Sequence, residues 1–290
     1  MSKKYLCAVI LLLALPFALR AASTFQVHVS GNGKPMILIP GLASSGDVWK
    51  STVIHYENNY QCHVLTLAGF AGVPPLNETG FLDHVKNDII AYIRETHLDH
   101  PIIIGHSLGG FLALWISSAE PELTGKIVVV DALPFITASF YPTFTAQTAY
   151  PFAFKTYKQM LAQTDDQFRA TQKIAFRRLI IDTAMADAAS MWGVNSDKAT
   201  VAAAVFEMQT TDLREEISKI KSPVLVFATW IAYAPEQTRD GIAEIFKAQY
   251  AKAKNYRLVV TDHARHFVML DDPQGFFTEL NVFLNDPRRF

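Results

Sequence analysis

The stretch Pro101-Ile102-Ile103-Ile104-Gly105-His106-Ser107-Leu108-Gly109-Gly110-Phe111-Leu112 decides the fold. Three consecutive β-branched isoleucines behind a proline read as a short strand buried on both faces. Beyond Ser107, Phe111, Leu112, Leu114 and Trp115 recur at helical spacing, so the chain must reverse sharply at the serine. A strand that turns directly into a helix needs small neighbours, and Gly105 and Gly109 stand two residues either side of Ser107. The pattern is that of a nucleophile elbow, with the hydroxyl exposed at the carboxyl end of a strand and free helix amides behind it.

Working outward, the N-terminus shows Lys3 and Lys4, an apolar run from Tyr5 to Leu19, and small residues at Ala21 and Ala22. This is the plan of a signal peptide over residues 1–22, with cleavage expected near Ala21 or Ala22 and Arg20 as an imperfection. The run is shorter than the ~20 residues of a membrane span. The expectation is therefore an exported protein, periplasmic or secreted, with no stable membrane insertion after cleavage. Cys7 leaves with the leader, so Cys62 cannot form an internal disulfide; its place in Gln61–Leu67 marks it as a packed strand residue. The 290 residues are 50% hydrophobic with a formal net charge of −1 and no basic run beyond the N-terminus, a composition without the electrostatic footprint of nucleic-acid binding. Zinc-type cysteine spacing and internal repeats are absent.

The elbow and its flanking elements resemble the α/β-hydrolase superfamily, and the resemblance extends over nearly all of the chain after the leader. It implies an α/β fold: a mostly parallel, doubly wound sheet with an inserted helical cap. Strands read at Phe25–Val29, Met36–Ile39, Gln61–Leu67, Ile127–Val130, Pro223–Phe227 and Tyr256–Thr261, with helices at Trp49–His55 and Phe81–His97. The loop Pro40-Gly41-Leu42 follows the second strand. There the resemblance places half an oxyanion hole, with the backbone N–H of Leu42 as one donor and that of Leu108 as the other, each contributing roughly 3 kcal/mol to the barrier. Many relatives carry His where this chain has Pro40, and Asp-x-x-Gly where it has Ala68-Gly69. Asn77-Glu78-Thr79 fits a glycosylation acceptor pattern and is read as incidental.

From Leu133 to Ile220 strand alternation disappears. An aromatic-rich loop (Phe135 to Tyr157) leads into helices expected at Gln167–Ile181, capped by Asp165-Asp166, and Lys198–Glu207, capped by Ser196-Asp197. The organisation read from this is a core of residues 23–132 and 221–290 with a cap of residues 133–220. Such a cap over the sheet's carboxyl edge makes an enclosed apolar pocket.

After the last strand, Asp262-His263-Ala264-Arg265-His266-Phe267 precedes Asp271-Asp272-Pro273. The resemblance implies a catalytic histidine followed by an aromatic and then by an acid and proline; His266 fits and His263 does not. His106 is read as support. The family's usual acid follows the strand ending at Phe227, yet Ala228 to Pro235 holds no carboxylate. Some capped members, the haloalkane dehalogenases among them, carry the acid one strand earlier, where Asp131 stands. Glu236, Asp240 or no acid at all are the alternatives. A serine nucleophile separates this chain from the aspartate-nucleophile dehalogenases and epoxide hydrolases. The expected activity is cleavage of an ester, thioester or lactone of a small, apolar-leaning molecule, with Ser107, His266 and Asp131 as triad and with no metal or organic cofactor. An acyltransferase or C–C bond hydrolase would use the same parts, and a binding protein or receptor with little turnover would account for the missing acid after Phe227.

Overall fold

A computed structural model of the chain describes residues 24–76 and 79–286. The leader at 1–22 and the residues Asn77 and Glu78 of the glycosylation pattern lie outside the described residues. The sheet is built from β1 (Phe25–Ser30), β2 (Lys34–Ile39), β3 (Tyr60–Leu67), β4 (Ile102–His106), β5 (Ile127–Val130), β6 (Val224–Thr229) and β7 (Tyr256–Thr261). Their order is β1-β3-β2-β4-β5-β6-β7, with β1 antiparallel to β3 and every other neighbouring pair parallel. This is the α/β-hydrolase architecture that the sequence predicts.

Alternation along the strands divides the core into two faces. Ile37, Ile39, Leu65, Leu67 and Ile103 turn toward α2 (Phe81–Glu95) and α3 (Leu108–Ala119), while Met36, Leu38, Cys62, Ile102 and Ile104 turn the other way, the side of α1 (Lys50–Tyr56). Parallel strands need crossover connections, and helices on both faces provide them. Cys62 is fully buried and its thiol is pushed up to about 11, first by burial and then by the charge of Glu57. It is an inert core residue.

Sheet order places the chemistry. β4 lies between β2 and β5, so Pro40-Gly41-Leu42 after β2, Ser107 after β4 and Asp131 after β5 emerge side by side at one edge. The Ser107 N–H donates to the Val130 carbonyl at 2.8 Å and the Asp131 N–H to that of Phe227 at 2.9 Å, extending the ladder one residue past the strands.

Between β5 and β6 the chain adds α4 (Ala146–Leu161), α5 (Asp165–Leu179), α6 (Thr183–Val194) and α7 (Lys198–Thr210), with α4 packed on α7 and α5 on α6. Here the local reading needs correction. The aromatics from Tyr150 to Tyr157 belong to α4, which starts at a Thr145/Thr148 capping box and continues through Pro151. The cap of α5 is Thr164, not Asp165-Asp166: Thr164 Oγ1 accepts from Gln167 N at 3.2 Å and the Gln167 amide oxygen accepts from Thr164 N at 2.9 Å. A reciprocal box satisfies two otherwise orphaned donors, and the two aspartates fall in the first turn, where the helix dipole favours them. Asp197 caps α7 as expected. This helix in turn serves the core. The Glu207 carboxylate accepts from Phe81 N at 2.9 Å and Leu82 N at 2.7 Å, supplying α2 with the cap that Gly80 lacks.

Candidate active site

Ser107 holds φ 51° and ψ −118°. A non-glycine residue reaches this region only when its surroundings enforce it. The enforcement is backbone contact. A Cβ on Gly105 would stand 2.0 Å from the Gly109 carbonyl oxygen, and a Cβ on Gly109 would stand 2.2 Å from that of Ile39. Strand, helix and the neighbouring strand thus meet with no room for a methyl group. A Cβ on Gly41 would lie 2.7 Å from His106 Nδ1 and 3.2 Å from Ser107 Cβ, so the Pro40–Leu42 loop abuts the serine from the other side. Leu108 opens α3, and its N–H has no partner within the helix.

His266 lies in the turn between β7 and α9 (Val268–Asp271), and its Nδ1 is 2.6 Å from Asp131 Oδ2. Asp131 itself is held by β6: its Oδ1 accepts from Thr229 N at 3.0 Å and its Oδ2 from Thr229 Oγ1 at 2.8 Å. The carboxylate is 3% exposed and the imidazole 13%. A buried carboxylate is tolerated when it is hydrogen-bonded, and three donors meet this one. The backbone at Asp131 is also left-handed, φ 50°, which turns its side chain out of the strand register.

Three further groups hold His266 in place. His106 Nε2 lies 3.1 Å from the His266 carbonyl oxygen, which fixes Nε2 as the protonated nitrogen of His106. Burial, and secondarily the nearby His266, keeps His106 well below its ordinary pKa, so it is a neutral strut. Arg265 donates to the Ile180 carbonyl at 3.1 Å, and Asp271 accepts from both Arg265 N and Ile181 N at 2.9 Å. The turn that carries His266 is thereby tied to the end of α5. Asp272 caps α10 (Pro273–Asn285) by accepting from Gly275 N at 3.0 Å.

Ser107, Asp131 and His266 line one cavity of about 220 Å³, whose walls are otherwise mostly apolar: Phe111, Leu133, Ile136, Met208. Of the alternative acids, Asp240 sits exposed in the first turn of α8 (Arg239–Gln249) and Glu236 lines a separate cleft with Arg178 and Arg265. His263 is exposed. The sequence reading did not single out Thr229, which holds Asp131, nor Tyr233 and the α8 side chains Ile242, Ile245 and Phe246, which also face the cavity. The i, i+3, i+4 spacing of those three was the available signal for an apolar helix face; nothing local marks Thr229 or Tyr233.

A family model described as the alpha/beta hydrolase family matches residues 36–279. The chain belongs to the alpha/beta hydrolase family and is a hydrolase. It is 23% identical over 270 residues to the pimeloyl-[acyl-carrier protein] methyl ester esterase of Aliivibrio fischeri strain MJ11, covering 89% of this chain and 96% of that one. It is also 23% identical over 263 residues to the N-formylmaleamate deformylase of Pseudomonas putida, covering 90% and 92%. Among solved structures, the bromoperoxidase from Bacillus anthracis superposes with a TM-score of 0.76 at 16% identity, covering 90% of this chain and 95% of that chain.

Proposed function

We propose that the protein is an exported serine hydrolase that cleaves an ester, thioester or lactone of a small, apolar-leaning substrate through an acyl-enzyme. The observation that carries this reading is the contact between His266 Nδ1 and Asp131 Oδ2 at 2.6 Å, beside Ser107 in one largely apolar cavity. Ser107 Oγ attacks the acyl carbon while Nε2 of His266 takes its proton. Asp131 accepts the Nδ1–H, which selects the tautomer with a free Nε2 and stabilises the imidazolium as it forms. The negative charge on the former carbonyl oxygen is met by the N–H groups of Leu42 and Leu108. Collapse expels the alkoxide or thiolate, which receives the proton from His266. Water then attacks the acyl-enzyme with the same histidine as base, releasing the acid and restoring Ser107. Residues 133–220 act as the cap that shapes the acyl site. The relatives' names, a methyl ester esterase and a deformylase, support a carbonyl substrate.

The test is labelling by a fluorophosphonate, which reacts readily only with an activated serine. The unaltered chain should label and Ser107→Ala should not, with ester turnover reduced on the order of 10³-fold or more. Labelling undiminished in Ser107→Ala would remove the mechanism. Export rests on residues 1–22 alone, and a mass showing Met1 retained in protein from the native host would refute it.

A further inference from the structure

Among the described residues the two buried phenols have partners, as does half-buried Tyr92. The Tyr56 hydroxyl donates to Asn281 Oδ1 at 2.8 Å, that of Tyr92 meets His63 Nδ1 at 2.7 Å, and that of Tyr250 donates to the Ala132 carbonyl at 2.8 Å. Tyr233 differs. It faces the cavity with Ser107 and His266, yet its hydroxyl makes no hydrogen bond among the described residues. Its position is not loose, since Tyr233 N donates to the Trp230 carbonyl and Gln237 N to the Tyr233 carbonyl, each at 2.9 Å. The neighbouring Ser139, which also lines the cavity, spends its hydroxyl on the Ile136 carbonyl at 2.7 Å.

A phenol held in an apolar cavity without a protein acceptor depends on whatever fills the cavity. Leaving such a donor unsatisfied costs about 1–3 kcal/mol. A purely alkyl acyl chain strands the hydroxyl on binding, whereas a chain with a hydrogen-bond acceptor at that point satisfies it. Burial and, after it, the charge of Asp131 raise the Tyr233 pKa, so the group stays protonated and serves as a donor and not as a base. The sign of the acceptor follows from the walls. No lysine or arginine lines this cavity, and Asp131 already brings a carboxylate to it. Arg178 reaches Tyr233 with its charge only from the neighbouring cleft, so a carboxylate tail would find no ion-pair partner on the cavity wall itself.

We infer that Tyr233 is a positioning residue whose hydroxyl donates to an uncharged oxygen acceptor, an ether, hydroxyl or carbonyl oxygen, on the substrate of this site. The inference rests on the hydrolase reading for the word substrate, but the hydrogen bond can be measured without turnover.

The experiment compares the unaltered chain with Tyr233→Phe on p-nitrophenyl esters of equal chain length. One is all-alkyl, a series moves a single ether oxygen along the acyl chain, and one ends in a carboxylate. Binding of the corresponding methyl ketones, which cannot be hydrolysed, is followed in parallel by calorimetry. For at least one ether position the variant should lose about tenfold in kcat/KM, the magnitude of one good hydrogen bond, carried by KM with kcat held within twofold. The alkyl ester should change less than twofold, and the matching ether ketone should bind about tenfold more weakly to the variant. The urea midpoint should not move. Equal losses on alkyl and ether compounds, no ether position that responds, or a preference of the unaltered chain for the carboxylate ester would each overturn the assignment. Absence of ester turnover with the ketone discrimination intact would overturn only the hydrolase reading.

Discussion

At the carboxyl edge of the sheet, backbone packs directly on backbone, while across the four-helix insertion side chains pack on side chains and many face water. The first region tolerates no added atom: Gly105 sees the Gly109 carbonyl, and Gly109 sees Ile39 and Pro40. In the second, Tyr150 is 52% exposed, Phe154 is 39% exposed, and their rings, 6.0 Å apart and stacked, pack against Phe206 of α7. Both regions wall the same cavity, since Phe140, 69% exposed, and Met208 come from the insertion and Ser107, Asp131 and His266 from the sheet edge. The contrast teaches that one wall is fixed by the continuity of the main chain and the other by interchangeable side chains. On the proposed reading, chemistry would reside at the fixed wall and the shape of the acyl site at the adaptable one.

The comparison predicts its sharpest break at Gly105. Gly105→Ala puts a methyl group onto immovable backbone and should cost more than about 4 kcal/mol, read as loss of soluble, cooperatively unfolding protein. A folded, active Gly105→Ala protein would show that the elbow is looser than its contacts.

Next in size is Asp131→Asn. It should reduce kcat by about 10²-fold to 10⁴-fold while the fold persists by circular dichroism, whereas Glu236→Gln and Asp240→Asn should leave kcat within about twofold. The reverse ranking would move the acid to the segment after β6.

A smaller effect concerns pH. His106 is buried neutral, its pKa depressed by burial and by His266, so below the unfolded value near 6.5 the unfolded chain takes up a proton that the folded chain refuses. Its contribution to stability is present above that value and is lost as pH falls toward the depressed folded pKa. The drop in unfolding free energy between pH 7.5 and 5.5 should shrink by about 1 kcal/mol in His106→Gln. An unchanged difference in urea titrations at the two pH values would remove His106 from the acid response.

The smallest change belongs to the outer face of the insertion. Ile174→Ser, at a side chain 69% exposed on α5, should shift stability by no more than about 0.5 kcal/mol and leave turnover of short esters unchanged, measured by urea midpoint and initial rate. A larger loss would show that the exposed face of α5 is integral to the insertion.

Much of the core was legible because it depends on short-range rules. Ile102–Ile104 had to be a buried strand, the glycines around Ser107 had to mark a tight reversal, and Asp272-Pro273 had to open a helix. The insertion was less legible. Tyr150–Tyr157 form a helix despite Pro151, since Thr145 and Thr148 cap it and α7 packs along it. Thr164 took the capping role from Asp165 by one residue, a difference that only the reciprocal bond with Gln167 decides.

The sequence by itself determined the elbow, the order of the strands along the chain, and the residue types of a nucleophile, a histidine and several candidate acids. Which acid meets His266 was a tertiary matter. Asp131 is 135 residues away in sequence, and it reaches Nδ1 because β5 lies between β4 and β6, with Thr229 at the end of β6 holding the carboxylate. Tyr233 is equally silent in the sequence, since an unpaired hydroxyl is defined by what surrounds it. Local patterns encode what a residue can do, because spacing and propensity act within a few residues. Partnership is decided by sheet order, because hydrogen bonds form between atoms about 3 Å apart however distant they are along the chain.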